Sequence, residues 1–331
     1  MRNVCMFVGV CSVLAASDSR ARTEPPAAAP VEQVSAAEPV AEKGKERISD
    51  IAEIRRDVNY APDAPANLAG AERQRLDLYV PKRDPSAAAA DAKSAKPFPV
   101  VVWVHGGGWS MGDKRPCPVA PLLVKEGFAV VSVNYRFTDS APFPAQIEDV
   151  KAAVRWVRAS AAKHNLDPDR IGAWGASAGG HLVAHLGTSA GIAEVEGASL
   201  GNKDQSSRVQ AVCDWFGPTD FTIMPDLAGT QAGGMIHKLL DGSVGEKREL
   251  ARQASPVTYV SEDDAPFLIM QGDKDPLVPT IQSQRLEKAL KEAGVKVELV
   301  IVKGAGHGFA GKEHGERVRD FFVRELKPPN S

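Results

Sequence analysis

Apolar and polar positions along this chain fall into two alternating patterns. Val100 to Val104 and Phe128 to Val133, the second interrupted by Ser132 alone, are apolar runs rich in β-branched side chains. Runs of that length predict central strands covered on both faces. Ile171 to Trp174, Val209 to Phe216, Phe267 to Met270 and Val297 to Val302 read as further strands. Arg75 to Val80 alternates polar with apolar side chains, which predicts a half-buried edge strand. Between these runs the period lengthens. Ile147, Val150, Val154 and Val157 recur at helical spacing and predict a helix from Pro144 to about His164. Leu286 and Leu290 mark another helix, and Val318, Phe321 and Phe322 give the apolar face of a C-terminal one. Strand-then-helix order, repeated, predicts an α/β class: a mostly parallel central sheet with helices on both faces.

Two stretches break the rhythm. Residues 219–264 are rich in glycine (Gly229, Gly233, Gly234, Gly242, Gly245) and in charge (Asp226, Asp241, Glu246, Lys247, Arg248, Glu249). They read as a small polar insertion over the ligand-binding end of the sheet. Each glycine weakens a helix by about 1 kcal/mol relative to alanine, which argues against a long apolar lid helix. The other stretch is the N-terminus. Arg2, the apolar run Val4 to Ala16 and the small residues Ala15-Ala16-Ser17 form the pattern of an export signal. The expected division is a signal over 1–19, a disordered linker rich in Ala, Pro and Glu over 20–47, and one domain over 48–331. The expected location is periplasmic or extracellular. No stable membrane insertion is expected after signal removal, since the apolar run is too short for a permanent span.

Composition narrows the function. Of 331 residues, 43% are apolar, enough for the core of one large domain. Forty basic and 42 acidic residues give a net charge of −2. Without a basic run, nucleic acid is excluded as an expected partner. Loss of the signal leaves Cys117 and Cys213, too few for a disulfide framework, and whether they pair stays open.

The chemistry lies at strand ends. Gly175-Ala176-Ser177-Ala178-Gly179 follows a predicted strand and precedes a helix-like stretch. That context fits a nucleophile elbow, in which a serine sits on a tight, strained turn. His105-Gly106-Gly107-Gly108-Trp109 follows Val104. Its glycines let backbone N–H groups approach a ligand closely, and acyl transfer needs such donors aimed at an oxyanion. Gly107, Gly108 and Ala178 are the candidate oxyanion-hole donors. His105 reads as a brace for the loop. The loop lacks a Walker lysine and dinucleotide spacing, which disfavours phosphate binding. An acid and a histidine complete the constellation in the order Ser, Asp or Glu, His. His307 in Gly304–Phe309 is the candidate base, and Asp275 and Asp273 compete for the acid role. His181 and His185 stand four apart, a spacing that can bind zinc. With no third ligand placed, surface or packing roles are expected and no metal or organic cofactor. Trp109, Trp215, Phe216 and Phe309 are candidates to wall a pocket or to fill the core.

With these motifs in place, the chain resembles the HGGG, or hormone-sensitive-lipase-like, α/β-hydrolases. Within them it resembles the feruloyl-esterase and acetylxylan-esterase-like group. The matching residues are Arg75 to Pro81 (RLDLYVP), His105 to Trp109 (HGGGW), Asn134 to Arg136 (NYR), Gly175 to Gly180 (GASAGG), Asp275 to Pro279 (DPLVP) and Gly306 to Phe309 (GHGF). Phe143-Pro144-Ala145 and Asp149 also fit. The likeness runs from about Val58 to Leu326. It implies an α/β-hydrolase fold and a catalytic triad of Ser177, Asp275 and His307, so it favours Asp275 over Asp273. It also implies hydrolysis of short-chain acyl or aryl esters, with a small ester or an acylated carbohydrate as substrate. The chain departs from the lipase-like pattern at Ala176, where an acidic residue is usual. It departs again at Phe137-Thr138-Asp139, where Leu-Ala-Pro is usual. Both departures argue against a lipid substrate. A peptidase of the same fold and a catalytically silent binding protein are the competing readings. The first commonly carries an additional domain, and the second commonly loses the histidine.

Overall fold

The computed structural model describes residues 47–83, 96–224 and 230–327. The expected signal, and all of the expected linker but Arg47, lie outside the described residues. Eight strands form one sheet: β1 (Ala52–Asn59), β2 (Arg75–Pro81), β3 (Phe98–Val104), β4 (Ala129–Val133), β5 (Leu166–Ala176), β6 (Ala211–Trp215), β7 (Phe267–Gly272) and β8 (Val297–Val302). Their order is β1-β2-β4-β3-β5-β6-β7-β8. The pairings β1/β2 and β2/β4 are antiparallel, and every other pairing is parallel. The longer helices are α1 (Ala120–Lys125), α2 (Ala145–Ala159), α3 (Ala178–Thr188), α4 (Gln231–Leu240), α5 (Arg248–Ala254), α6 (Ile281–Glu292) and α7 (Lys312–Leu326).

The apolar runs explain the layering. Along a strand successive side chains point to opposite faces, so an unbroken run feeds two cores at once. Val100, Val102 and Val104 join Ile147, Val150 and Val154 of α2, Leu182 and Leu186 of α3 and Leu286 and Leu290 of α6 in one core. Val101 and Trp103 join Leu123 of α1 and Val318, Phe321 and Phe322 of α7 in the other. Helices on both faces leave the carboxyl ends of the parallel strands as the open edge, where such sheets bind ligands.

Three expectations change. Arg75–Pro81 is not an edge: β1, dense in charge (Glu53, Arg55, Arg56, Asp57), covers it and forms the true edge. The polar member of the alternation, Asp77, is buried and held by Arg56 at 3.2 Å, by the Asp57 N–H at 2.9 Å and by Arg115 at 3.1 Å. An ion-paired carboxylate mimics an exposed one in the pattern. β5 begins five residues before Ile171, because the polar segment Asp167 to Arg170 is extended as well. The helix from Pro144 stops at Ala159, and a separate turn, Ala161–His164, follows.

Candidate active site

Ser177 lies between the end of β5 and the start of α3 with φ 56° and ψ −121°, a backbone region that side chains seldom occupy. Its neighbours explain how the turn is enforced. A Cβ at Gly175 would sit 2.2 Å from the Gly179 carbonyl oxygen, and one at Gly179 would sit 2.1 Å from that of Val104. Only glycine lets β3, β5 and α3 approach this closely. The Ser177 N–H donates to the Trp215 carbonyl at 2.8 Å, tying the turn to β6.

The structure brings Ser177, His307 and Asp275 together. His307 Nδ1 is 2.8 Å from Asp275 Oδ2, and His307 Nε2 is 2.8 Å from Ser177 Oγ. The carboxylate can only accept, so Nδ1 carries the hydrogen and Nε2 is free to accept the hydroxyl proton. Asp275 Oδ1 accepts from the N–H groups of Leu277 (2.8 Å) and Val278 (2.9 Å). Burial works to raise the Asp275 carboxyl, but its bonds to His307, Val278 and Leu277 outweigh burial and hold it below the ordinary carboxylate value. Asp273 is directed elsewhere: its Oδ1 accepts from the Gly304 N–H at 2.6 Å.

Two neighbours went unread in the sequence. Gln271, fully buried at the end of β7, donates to Asp275 Oδ2 at 3.0 Å and accepts from Ser283 at 3.0 Å. A glutamine closing an apolar strand was the available signal. Asp214 of β6 is fully buried beneath the elbow. Its Oδ1 accepts from the Gly217 N–H at 2.9 Å, and its Oδ2 has no partner among the described residues. Burial pushes this carboxyl up to about 7, the Gly217 bond working against it.

The glycine loop lies against the serine. A Cβ at Gly106 would be 3.3 Å from Ser177 Cβ. Gly107, Gly108 and Trp109 all have positive φ, at 116°, 55° and 57°. The N–H groups of Gly107, Gly108 and Ala178 donate to no protein acceptor among the described residues. His105 sits under the loop: Nδ1 bonds the Gly106 carbonyl at 2.7 Å, and the ring stacks on Tyr135 at 4.6 Å. Burial pushes its pKa down to about 4, which keeps it neutral.

A cavity of about 30 Å³ opens beside Ser177, walled by Trp109, Met224, Ala232, Met235, Ile236 and Val278. Three of these belong to α4. The insertion therefore contributes a helix of 10 residues with an apolar face, shorter than the long lid helix its glycines argue against. Thr230 Oγ1 caps α4 by accepting from the Gly233 N–H at 3.1 Å, and Ile236, Leu239 and Leu240 are buried. Tertiary burial overrides weak local propensity here.

Among the four aromatic candidates, Trp109 walls the cavity, while Phe216 packs its edge on His307 with centroids 4.9 Å apart. Trp215 and Phe309 pack on each other at 4.8 Å. His181 and His185 are fully buried on α3, and no third His, Cys, Asp or Glu joins them in a metal-ligating group among the described residues. They hold the insertion: His181 Nε2 bonds the Ala254 carbonyl at 2.7 Å, and His185 Nε2 bonds that of Gln253 at 2.9 Å. Thr188, one turn further along, donates to the Pro256 carbonyl at 3.1 Å. Cys117 and Cys213 are both buried and free. Among the described residues no helix is long and apolar enough to cross a membrane.

Comparison with known proteins places the fold among esterases. The family model BD-FAE matches residues 76–290. The esterase LipQ of Mycobacterium tuberculosis is 32% identical over 256 residues, covering 76% of this chain and 56% of LipQ. The chain spans about half the length of the curated relatives LipQ and LipM, 56% and 54%. A truncated form of a carbohydrate esterase from gut microbiota superposes with a TM-score of 0.73 at 32% identity, covering 83% of this chain and 97% of that one. A bifunctional GH43-CE protein of Bacteroides eggerthii superposes with a TM-score of 0.72 at 33% identity, covering 85% of this chain and 36% of that one. The chain belongs to the BD-FAE family of hormone-sensitive-lipase-like α/β-hydrolases.

Proposed function

We propose that this chain is a serine carboxylesterase that removes short acyl groups, its natural substrate an acylated carbohydrate or another small ester. The observation that carries this reading is the hydrogen-bonded chain from Asp275 through His307 to Ser177 beside a small apolar cavity. Ser177 Oγ attacks the ester carbonyl while His307 Nε2 takes its proton. Asp275 holds the imidazole in the tautomer this requires and stabilises its charged form. The N–H groups of Gly107, Gly108 and Ala178 receive the oxyanion, with the positive end of α3 behind them. His307 then returns the proton to the departing alcohol. Water repeats the sequence on the acyl-enzyme and frees the acid.

The cavity supports a short acyl group. It lies directly beside Ser177 and its walls, Trp109, Met235, Ile236 and Val278 among them, are apolar, which suits the methyl end of a small acyl group. The carbohydrate-esterase neighbour supports a sugar on the alcohol side. The test is kcat/KM on p-nitrophenyl acetate, butyrate and octanoate and on acetylated xylan, with Ser177→Ala as control. Acetate should be preferred, octanoate should be poor, acetate should be released from xylan, and the variant should lose roughly a million-fold in kcat. A maximum at octanoate would refute the short-acyl reading, and an active Ser177→Ala would refute the nucleophile.

A further inference from the structure

The oxyanion loop raises a mechanical question. Gly107, Gly108 and Trp109 form three consecutive residues of positive φ, and only the last has a side chain by which the loop can be gripped. A loop of this kind holds its shape only where its surroundings over-determine it. The Trp109 carbonyl accepts from the Thr138 N–H at 3.0 Å. Its indole Nε1–H, fully inside the protein, donates to Nδ1 of His181 at 3.1 Å. The other face of that histidine is equally committed, its Nε2 lying 2.7 Å from the Ala254 carbonyl.

The chemistry of the partners leaves one arrangement. An indole N–H can only donate and a carbonyl can only accept. His181 is therefore the neutral tautomer with its hydrogen on Nε2, accepting from the oxyanion loop and donating to the insertion. Burial, which pushes its pKa down to about 4, keeps it in that form. Phe221 packs on both rings, with centroids 5.1 Å from His181 and 5.9 Å from Trp109, so neither ring is free to turn. His181 itself lies one turn into α3 from Ser177, its N–H donating to the Ser177 carbonyl at 2.9 Å. One imidazole thus connects the three parts of the site that come from distant stretches of the chain: the nucleophile turn, the oxyanion loop and the insertion.

We propose that His181 is a positioning residue for the oxyanion-binding loop, acting through Trp109, and that it sets the distance between Ser177 and the Gly107 and Gly108 donors. This rests on the reading of Ser177 as nucleophile and of the loop as its oxyanion hole. Trp109 also walls the acyl cavity, so the same bond fixes the wall against which the acyl group lies.

The experiment uses the full chain and His181→Leu, His181→Gln, Trp109→Phe and the double variant His181→Leu/Trp109→Phe. Active sites are counted by the nitrophenolate burst with diethyl p-nitrophenyl phosphate, so that misfolded protein drops out of the rate. His181→Leu should lower kcat per counted site for p-nitrophenyl acetate by about 10- to 100-fold, less than the loss of a whole oxyanion donor, with KM within about threefold. His181→Gln offers one acceptor and one donor and should recover most of that loss. Trp109→Phe keeps an aromatic side chain but loses the pyrrole half of the indole with its N–H, and should fall in the same direction. The double variant should be no worse than about the poorer single one, because both substitutions break one bond. A purely structural role would lower Tm and the number of counted sites but leave kcat per site unchanged. That result in His181→Leu, a glutamine variant no better than leucine, or losses that multiply in the double variant would overturn the proposal. A burst that persists in Ser177→Ala would instead overturn the nucleophile reading, and the proposal with it. If His181→Leu yields no folded protein, Trp109→Phe decides: an unchanged kcat per site overturns the proposal.

Discussion

The turn that presents Ser177 and the insertion that walls its cavity are held by different forces. At the turn, backbone meets backbone: Gly175 and Gly179 exist because any side chain would strike a carbonyl about two ångströms away, at 2.2 and 2.1 Å. Geometry there is enforced by exclusion. In the insertion α4 tolerates two consecutive glycines, and Gly234 has nothing within 4 Å of where a Cβ would stand. The insertion is attached instead at separate points: α4 through its Leu239 carbonyl, which accepts from the Phe143 N–H at 2.8 Å, and α5 and the residues after it through the carbonyls of Gln253, Ala254 and Pro256, gripped by side chains of α3. The contrast teaches that Ser177 rests on a scaffold with no slack, while the wall of its cavity rests on a part that is attached and adjustable.

The largest effect tests the rigid side. Asp275→Asn should lower kcat by about 10⁴-fold through loss of the tautomer clamp, and Asp273→Asn should change it little. Equal losses measured by steady-state kinetics would mean that the His307 loop, braced at Gly304 by Asp273, matters as much as the clamp. Next is Gly179→Ala, which should cost about 3 kcal/mol or more by overpacking, roughly 6–12 °C in Tm for a domain of this size. A soluble, active variant with unchanged Tm would show that the elbow has slack after all. On the adjustable side, Met235→Ala should deepen the cavity. The ratio of kcat/KM for butyrate over acetate should then rise about tenfold, two methylenes gaining ~0.8 kcal/mol each on burial. An unchanged ratio would remove α4 from acyl selection. The smallest effect is Gly234→Ala, expected to raise stability by about 0.5–1 kcal/mol, with kcat unchanged. A destabilised variant would show that α4 is packed as tightly as the elbow.

The same contrast explains what the sequence discloses. The elbow and the glycine loop are legible because steric exclusion writes itself as glycine at fixed spacing beside the serine or histidine. The central strands are legible because burial on both faces leaves them few polar positions, Ser132, Asp214 and Gln271 being the exceptions. β1 escapes because an edge strand is charged by necessity, and β2 is misplaced because its buried Asp77 looks like a solvent-facing residue. Asp273 and Asp275 stand two residues apart in one turn. They differ only in which N–H groups they reach, Gly304 for one and Leu277 and Val278 for the other. α4 is hidden because its stability comes from the surface it buries, not from its residues. The role of His181 is hidden for a related reason: both partners lie more than seventy positions away, 72 to Trp109 and 73 to Ala254.

The buried carboxyl of Asp214 couples folding to proton uptake. Its ordinary value is 3.8 and the folded value about 7, so between those pH values the native chain keeps a proton that the unfolded chain releases. The sign follows: this contribution to stability is fully present below about pH 4 and is lost as pH rises through 7, at up to ~1.4 kcal/mol per pH unit. Asp214→Asn keeps an acceptor for the Gly217 N–H and has no proton to lose. Thermal unfolding followed from pH 5 to 8 should therefore show the Tm of the variant rising relative to that of the parent protein as pH increases. Parallel curves would mean that Asp214 is already ionised at pH 5 and that the proton is held elsewhere. In physiological terms, this one carboxyl supports the folded state less as the surroundings turn alkaline, and a local release of acid strengthens its contribution again.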